Sequence, residues 1–116
     1  MSRVVALMDD LFFQMKVAET AKHLGVELRV ATTADALLSL LQPQPRLVIV
    51  DLNARNQPIK AVERLRAAEP HLPVVAFLSH VQRDLASEAQ RAGCNEVLPR
   101  SVFTLKLAEI LGRAKD

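Results

Sequence analysis

The sequence predicts an α/β domain, a three-layer αβα sandwich in which helices cover both faces of a five-stranded parallel sheet. Two observations carry this expectation. Short apolar runs alternate with stretches at helical spacing along all 116 residues. Two of those runs, Val4-Val5-Ala6-Leu7-Met8 and Leu47-Val48-Ile49-Val50, are continuously apolar, as parallel strands buried on both faces are. A third observation concerns chemistry. Asp9 and Asp10 follow the first run and Asp51 follows the second, so three carboxylates stand where strands run out.

Residues 3–8 read as the first strand. Residues 11–24 read as a helix, with Leu11, Met15, Ala18 and Ala21 at helical spacing and Gly25 placed to end it. Val26-Glu27-Leu28-Arg29-Val30 alternates apolar and charged, which predicts a strand with one wet face at a sheet edge. Thr32 or Thr33 can cap a second helix running to about Leu41. Gln42-Pro43-Gln44-Pro45 cannot continue it and marks a turn. The third strand is 47–50, ending at Asp51, and a polar loop covers 52–57. Pro58 suits the first turn of a third helix, with Ile59, Val62 and Leu65 at helical spacing. Val74-Val75-Ala76-Phe77-Leu78 is the fourth strand, ended by Ser79. A fourth helix covers roughly 82–92, and Val97-Leu98 is a short fifth strand. The last helix spans about 103–114, with Phe103, Leu107, Ile110, Leu111 and Ala114 recurring along it.

Short connections between strand and helix imply right-handed crossovers. For five strands the flavodoxin-like order 2-1-3-4-5 follows, with strands 1 and 3 flanking the switch point. No linker or repeat divides residues 1–116, so the expectation is one domain with no output domain attached.

The composition narrows the function. Half of the residues are hydrophobic and 24% are charged, with 15 basic against 13 acidic side chains. That balance argues against a nucleic-acid surface. No apolar run is long enough for a membrane span. One cysteine, Cys94, excludes an intrachain disulfide, favours a cytoplasmic setting, and reads as a small packed hydrophobe. His23 and His71 have no partner at metal-ligand spacing, and only His80, after Ser79, lies near the strand ends. No Gly-x-Ser-x-Gly elbow surrounds Ser79, and no phosphate-binding loop follows the first strand to hold a flavin.

In the 2-1-3-4-5 order Asp9, Asp10 and Asp51 converge. Converging carboxylates repel, so they need a cation, a shared proton or open water. A hard divalent ion such as Mg²⁺ prefers such oxygen ligands. The other reading is structural: Asp9 or Asp10 caps the first helix, and Asp51 forms a turn.

These residues resemble the CheY-like receiver domain of bacterial two-component response regulators, over the whole length. That family has an acidic pair after strand 1, a phosphoaccepting Asp after strand 3, a Ser or Thr after strand 4 and a Lys after strand 5. Asp9-Asp10, Asp51 and Ser79 match the first three, and Gly93-Cys94-Asn95 resembles the family's Gly-Ala-Asp. The resemblance implies a module that receives a phosphoryl group on Asp51 from a sensor histidine kinase. Asp9, Asp10, Asp51 and the Asn53 carbonyl would hold Mg²⁺, and Ser79 would hydrogen-bond the phosphoryl group.

There are departures. Arg100 stands where the family has Lys, and either reaches the acidic residues or points outward. Val97 takes the place of the switching aromatic, and His80 that of a small residue. Ala54-Arg55-Asn56-Gln57-Pro58-Ile59 replaces the loop that frames the metal. The chain therefore resembles an atypical, degenerate receiver. Two functions follow: a phosphorylatable, non-enzymatic signalling module, or a phosphorylation-independent pseudo-receiver acting as a protein-interaction domain. Either acts through a kinase or an output protein, with no nucleic acid or membrane as partner. The face of helix 4, strand 5 and helix 5 is the expected contact or homodimer surface, above all residues 103–114.

Overall fold

The computed structural model describes residues 2–79 and 82–115. Its strands are β1 (Arg3–Leu7), β2 (Glu27–Ala31), β3 (Leu47–Asp51), β4 (Val74–Leu78) and β5 (Glu96–Pro99). The helices are α1 (Leu11–Leu24), α2 (Ala34–Ser39), α3 (Pro58–Ala68), α4 (Arg83–Ala92), α5 (Arg100–Leu105) and α6 (Leu107–Gly112). Every strand pairing is parallel, in the order β2-β1-β3-β4-β5. The expected αβα sandwich and strand order are the observed ones.

Side chains alternate across the sheet, so each central strand feeds two cores. Val5, Leu7, Val48, Val50, Val74 and Ala76 pack on the face that holds Leu37, Val62, Leu65 and Ala89. Val4, Ala6, Ile49, Val75 and Phe77 pack on the other, with Val17, Ala21, Phe103, Ile110 and Leu111. Each such large side chain contributes about 1.5–3 kcal/mol by leaving water. β1, β3 and β4 are buried throughout, whereas only Ala31 of β2 is. This accounts for the continuous apolar runs in the first three and the alternation in the edge strand.

The helix signals held in detail at several points. The Thr33 hydroxyl accepts from Ala36 N and caps α2. Gly25 ends α1 at φ 73°, a left-handed geometry that glycine adopts without a Cβ penalty. Pro58 opens α3. Among the described residues, no helix is long and apolar enough to cross a membrane.

Three expectations need correction. Leu11 and Met15, placed with Ala18 and Ala21 at helical spacing along α1, are 71% and 68% exposed. The buried residues are Val17 and Ala21, with Phe13 and Leu24 packed against the same core. Both stripes fit helical spacing and share Ala21. The turn after β1 decides between them by setting Phe13 against Phe77, ring centroids 5.1 Å apart.

Second, the last helix begins at Arg100 and breaks at Lys106. The Thr104 hydroxyl donates to the Arg100 carbonyl at 2.8 Å, a back-bond that bends helices. Third, Phe103, Leu107, Ile110, Leu111 and Ala114 are all buried. They are core rather than a partner surface, and Leu105 is the large apolar residue that this segment exposes.

Candidate functional site

The sheet's register brings the acidic residues together. Leu7 of β1 is level with Val50 of β3, so Asp51 stands one step beyond, beside the turn into α1. Asp51 is in turn level with Phe77 of β4, two residues before Ser79. β5 ends at Pro99 and delivers Arg100 to the same rim. Asp9, Asp10, Asp51, Asn53, Arg55, Ser79 and Arg100 line one cleft of about 380 Å³. Every described residue that the sequence marked for the site is in it. His80 lies outside the described residues.

Asp51 is buried, 5% exposed, and its Oδ1 accepts from Asn53 N at 2.9 Å. Burial pushes its carboxyl above the usual range; the Asn53 N–H and nearby Arg100 pull it back, while Asp9 and Asp10 push it further. Asp10 is the N-cap of α1, with Oδ1 accepting from Phe13 N at 3.1 Å. Its Oδ2 accepts from Arg100 Nη2 at 3.0 Å. The Phe13 N–H first, and then Arg100, hold this carboxyl below its usual range. Asp9 Oδ2 accepts from Arg55 N at 2.9 Å, with the Arg55 guanidinium 3.8 Å away. The structural readings of Asp10 and Asp51, as cap and turn former, are therefore correct without excluding a shared site.

Arg100 reaches inward. Its guanidinium carbon lies 4.3 Å from the Phe13 ring centroid and 5.7 Å from that of Phe77, within cation–π range. Phe77 also stacks on Phe103 at 4.5 Å. Two of the four phenylalanines, Phe13 and Phe77, thus lie under one cation, and Phe103 backs Phe77. Across the cleft, Asn53 Oδ1 accepts from Ser79 N at 2.6 Å and from the Ser79 hydroxyl at 3.0 Å. Asn53 Nδ2 donates to Gln82 at 3.0 Å.

No protein-family model matches the sequence. MoxX of Paracoccus denitrificans, a methanol utilization control regulatory protein, is 38% identical over 60 residues, 49% of this chain and 27% of its own length. Among solved structures, the receiver domain of NtrX from Brucella abortus is 25% identical, with a TM-score of 0.80 over 96% of both chains. The chain has the architecture of a response-regulator receiver domain. CheY4 of Vibrio cholerae (19% identical, TM-score 0.82, 99% of both chains) and the Mn²⁺-bound form of response regulator Rcp1 (19% identical, TM-score 0.75, 95% of this chain and 88% of that one) share the fold. This receiver-type chain spans about a quarter of the length of MoxX and of longer NtrX chains.

Against the receiver pattern, the ion site is not assembled. The donors are all oxygens, the right kind for a hard divalent ion. Yet among the described residues no group of three or more His, Cys, Asp or Glu is placed to hold a metal. Both Asp10 oxygens are engaged, one Asp9 oxygen is engaged, and a guanidinium shares the cleft. The residues as arranged do not fit the ion that the resemblance implied.

Arg55 is the cleft residue that sequence reasoning missed as a site residue. It sits in a loop where Asn56 and Gln57 adopt φ of 65° and 56°, each a strained setting for a side-chain-bearing residue. Asn56 Nδ2 ties this loop to the Thr32 carbonyl at 3.1 Å. Consecutive left-handed residues without glycine leave no sequence signature. At the switch position, Val97 borders an apolar hollow of about 160 Å³ with Leu78, Ala86 and Leu98. Cys94 is buried, its thiol pushed up to about 11 by desolvation, so it is a packed, unreactive group as expected.

Proposed function

We propose that this domain is a signalling receiver of the two-component type in which Asp51 accepts a phosphoryl group from a donor protein. The observation that carries the reading is the single cleft shared by Asp51, Ser79, Arg55 and Arg100. In this reading Asp51 Oδ2 attacks phosphorus of an N-phosphohistidine on a sensor kinase. The O–P bond forms, the P–N bond breaks, and its electron pair returns to the imidazole. Such transfer depends on positioning and charge neutralisation more than on covalent help from the protein. Asn53 N–H fixes Oδ1 and so orients Oδ2. The guanidinium groups are the donors facing the phosphoryl oxygens, and the Ser79 hydroxyl, which donates to Asn53 Oδ1, would turn from that partner to join them.

The resemblance also implied Mg²⁺ on Asp9, Asp10, Asp51 and Asn53. Because that donor set does not fit as arranged, no step is derived through the ion. Leu11, Phe12 and Met15 are exposed at the start of α1, and Phe12 stands beside the cleft, lining one depression with Arg100. Exposed apolar clusters suit a protein partner, which supports a kinase or output protein rather than nucleic acid or membrane. A cytoplasmic setting, a non-enzymatic role and self-association through α4, β5 and α5 belong to the same proposal.

The test is mass spectrometry after incubation with acetyl phosphate, with and without Mg²⁺. One phosphoryl adduct, absent from Asp51→Asn, is expected. A second reading, a phosphorylation-independent interaction domain, is favoured by the partners that already occupy Asp9, Asp10 and Ser79. No adduct under either condition selects it.

A further inference from the structure

We infer that Arg100 is the resident cation of the acidic cleft and excludes the divalent ion that such clefts otherwise take. The inference rests on reading the cleft as the phosphoryl-acceptor site, but its main test does not. Arg100 is held by two independent contacts. Nη2 donates to Asp10 Oδ2 at 3.0 Å, and the guanidinium carbon lies 4.3 Å from the Phe13 ring centroid. A planar, weakly hydrated guanidinium can stack and hydrogen-bond at once, whereas a lysine ammonium cannot match both. The side chain is therefore locked where its charge faces the carboxylates.

The carboxylates are correspondingly committed. Asp10 gives one oxygen to the α1 N-terminus and the other to Arg100. Asp9 gives one to the Arg55 backbone. An entering Mg²⁺ would either displace these contacts or use the remaining Asp9 and Asp51 oxygens, and in both cases would sit beside a fixed positive charge. A third observation concerns the charge itself: Arg100 Nε is buried with no hydrogen-bond partner, so the guanidinium is partly desolvated and its charge acts on the carboxylates with little screening by water. Three carboxylates against two guanidiniums leave the lining about one unit negative, so the cleft needs no further divalent charge to be near balance.

The experiment is a calorimetric titration of the intact chain with MgCl₂, paired with thermal melts. The parent is expected to show no binding heat and no shift of its midpoint at millimolar Mg²⁺. Arg100→Met removes the charge while keeping an apolar stem over Phe13, and should bind Mg²⁺ at least tenfold more tightly than the parent, with a midpoint that rises by mass action. Saturable Mg²⁺ binding by the parent overturns the inference. So does a folded R100M protein that gains none. Should R100M fail to fold, the parent titration decides. Acetyl phosphate labelling in EDTA adds a second readout. Labelling of Asp51 equal with and without Mg²⁺ supports the inference, and labelling only with Mg²⁺ refutes it. Absence of labelling in both conditions refutes the acceptor reading instead and leaves the Mg²⁺ titration to judge Arg100.

Discussion

Replacing Asp51 with Asn should stabilise this domain at neutral pH. Asp51 is 5% exposed, and its carboxyl is raised first by burial and further by Asp9 and Asp10. Asn keeps the shape and the oxygen that accepts from Asn53 N but removes the desolvated charge. Relief of one such functional-site conflict is worth on the order of 1 kcal/mol, or roughly 4 °C in the midpoint of a domain this size. The pH dependence fixes the sign. A carboxyl whose folded pKa is raised binds protons more readily folded than unfolded, so its contribution is best below the unfolded value of 3.8 and declines as pH rises through the folded value. The gap between Asp51→Asn and parent should therefore be present at pH 7, shrink as pH falls through the raised folded value, and close below 3.8. Urea denaturation at several pH values measures it. A variant less stable than the parent at pH 7, or a gap that does not change with pH, would refute the reasoning.

Arg66 donates to the carbonyls of Glu69, Pro70, Leu72 and Gly93 and to Asn95 Oδ1. Arg66→Ala should cost about 3 kcal/mol in urea denaturation, since charged hydrogen bonds contribute roughly 1.5–3 kcal/mol each and are not additive; a loss below about 1 kcal/mol would show that water replaces the clamp. Asp10→Ala removes the α1 cap and should cost about 1 kcal/mol at pH 7. Because the Asp10 carboxyl is lowered by Phe13 N and Arg100, its contribution is present above pH 3.8 and fades as pH falls through its folded value, so the deficit should shrink in acid; a deficit constant down to pH 2 would count against it. Val97 is too short to swing between exposed and buried positions, so a beryllofluoride titration followed by NMR should shift residues around Asp9, Asp51 and Ser79 and leave α5 and α6 in place. Shifts spreading through Val97 into residues 103–111 would reveal a working switch.

What the sequence made legible was set by burial. β1, β3 and β4 are buried on both faces, and their apolar runs announced themselves along with the carboxylates that end them. Helix faces were less legible. Two stripes on α1 fit the same period, and a tertiary contact between Phe13 and Phe77 chose one. The recurring apolar residues of 103–114 read as a surface because sequence counts hydrophobes without saying which way the helix is turned. Arg55 could not be read as a site residue because its place depends on two left-handed residues that carry no signal. Arg100 was seen, but only the ring of Phe13 beneath it and Asp10 beside it decided that it points inward.

The cap-or-site alternatives posed by the three carboxylates dissolve once their environments are compared. Asp10 is fully engaged by a helix N-terminus and a guanidinium and is held more strongly acidic than usual. Asp51, a few residues' breadth away on the neighbouring strand, is desolvated and held less acidic. Environments that push like groups apart assign them different roles. Asp10 already accepts one hydrogen bond at each oxygen, and its charge helps to fix Arg100. Asp51 keeps one oxygen uncommitted in this reading and lies close enough to feel both Asp10 and Arg100. A cleft built this way presents one desolvated carboxylate with an uncommitted oxygen beside a guanidinium. If Arg100 is the resident cation inferred above, the identity of residue 100, rather than the number of carboxylates, sets what this cleft accepts.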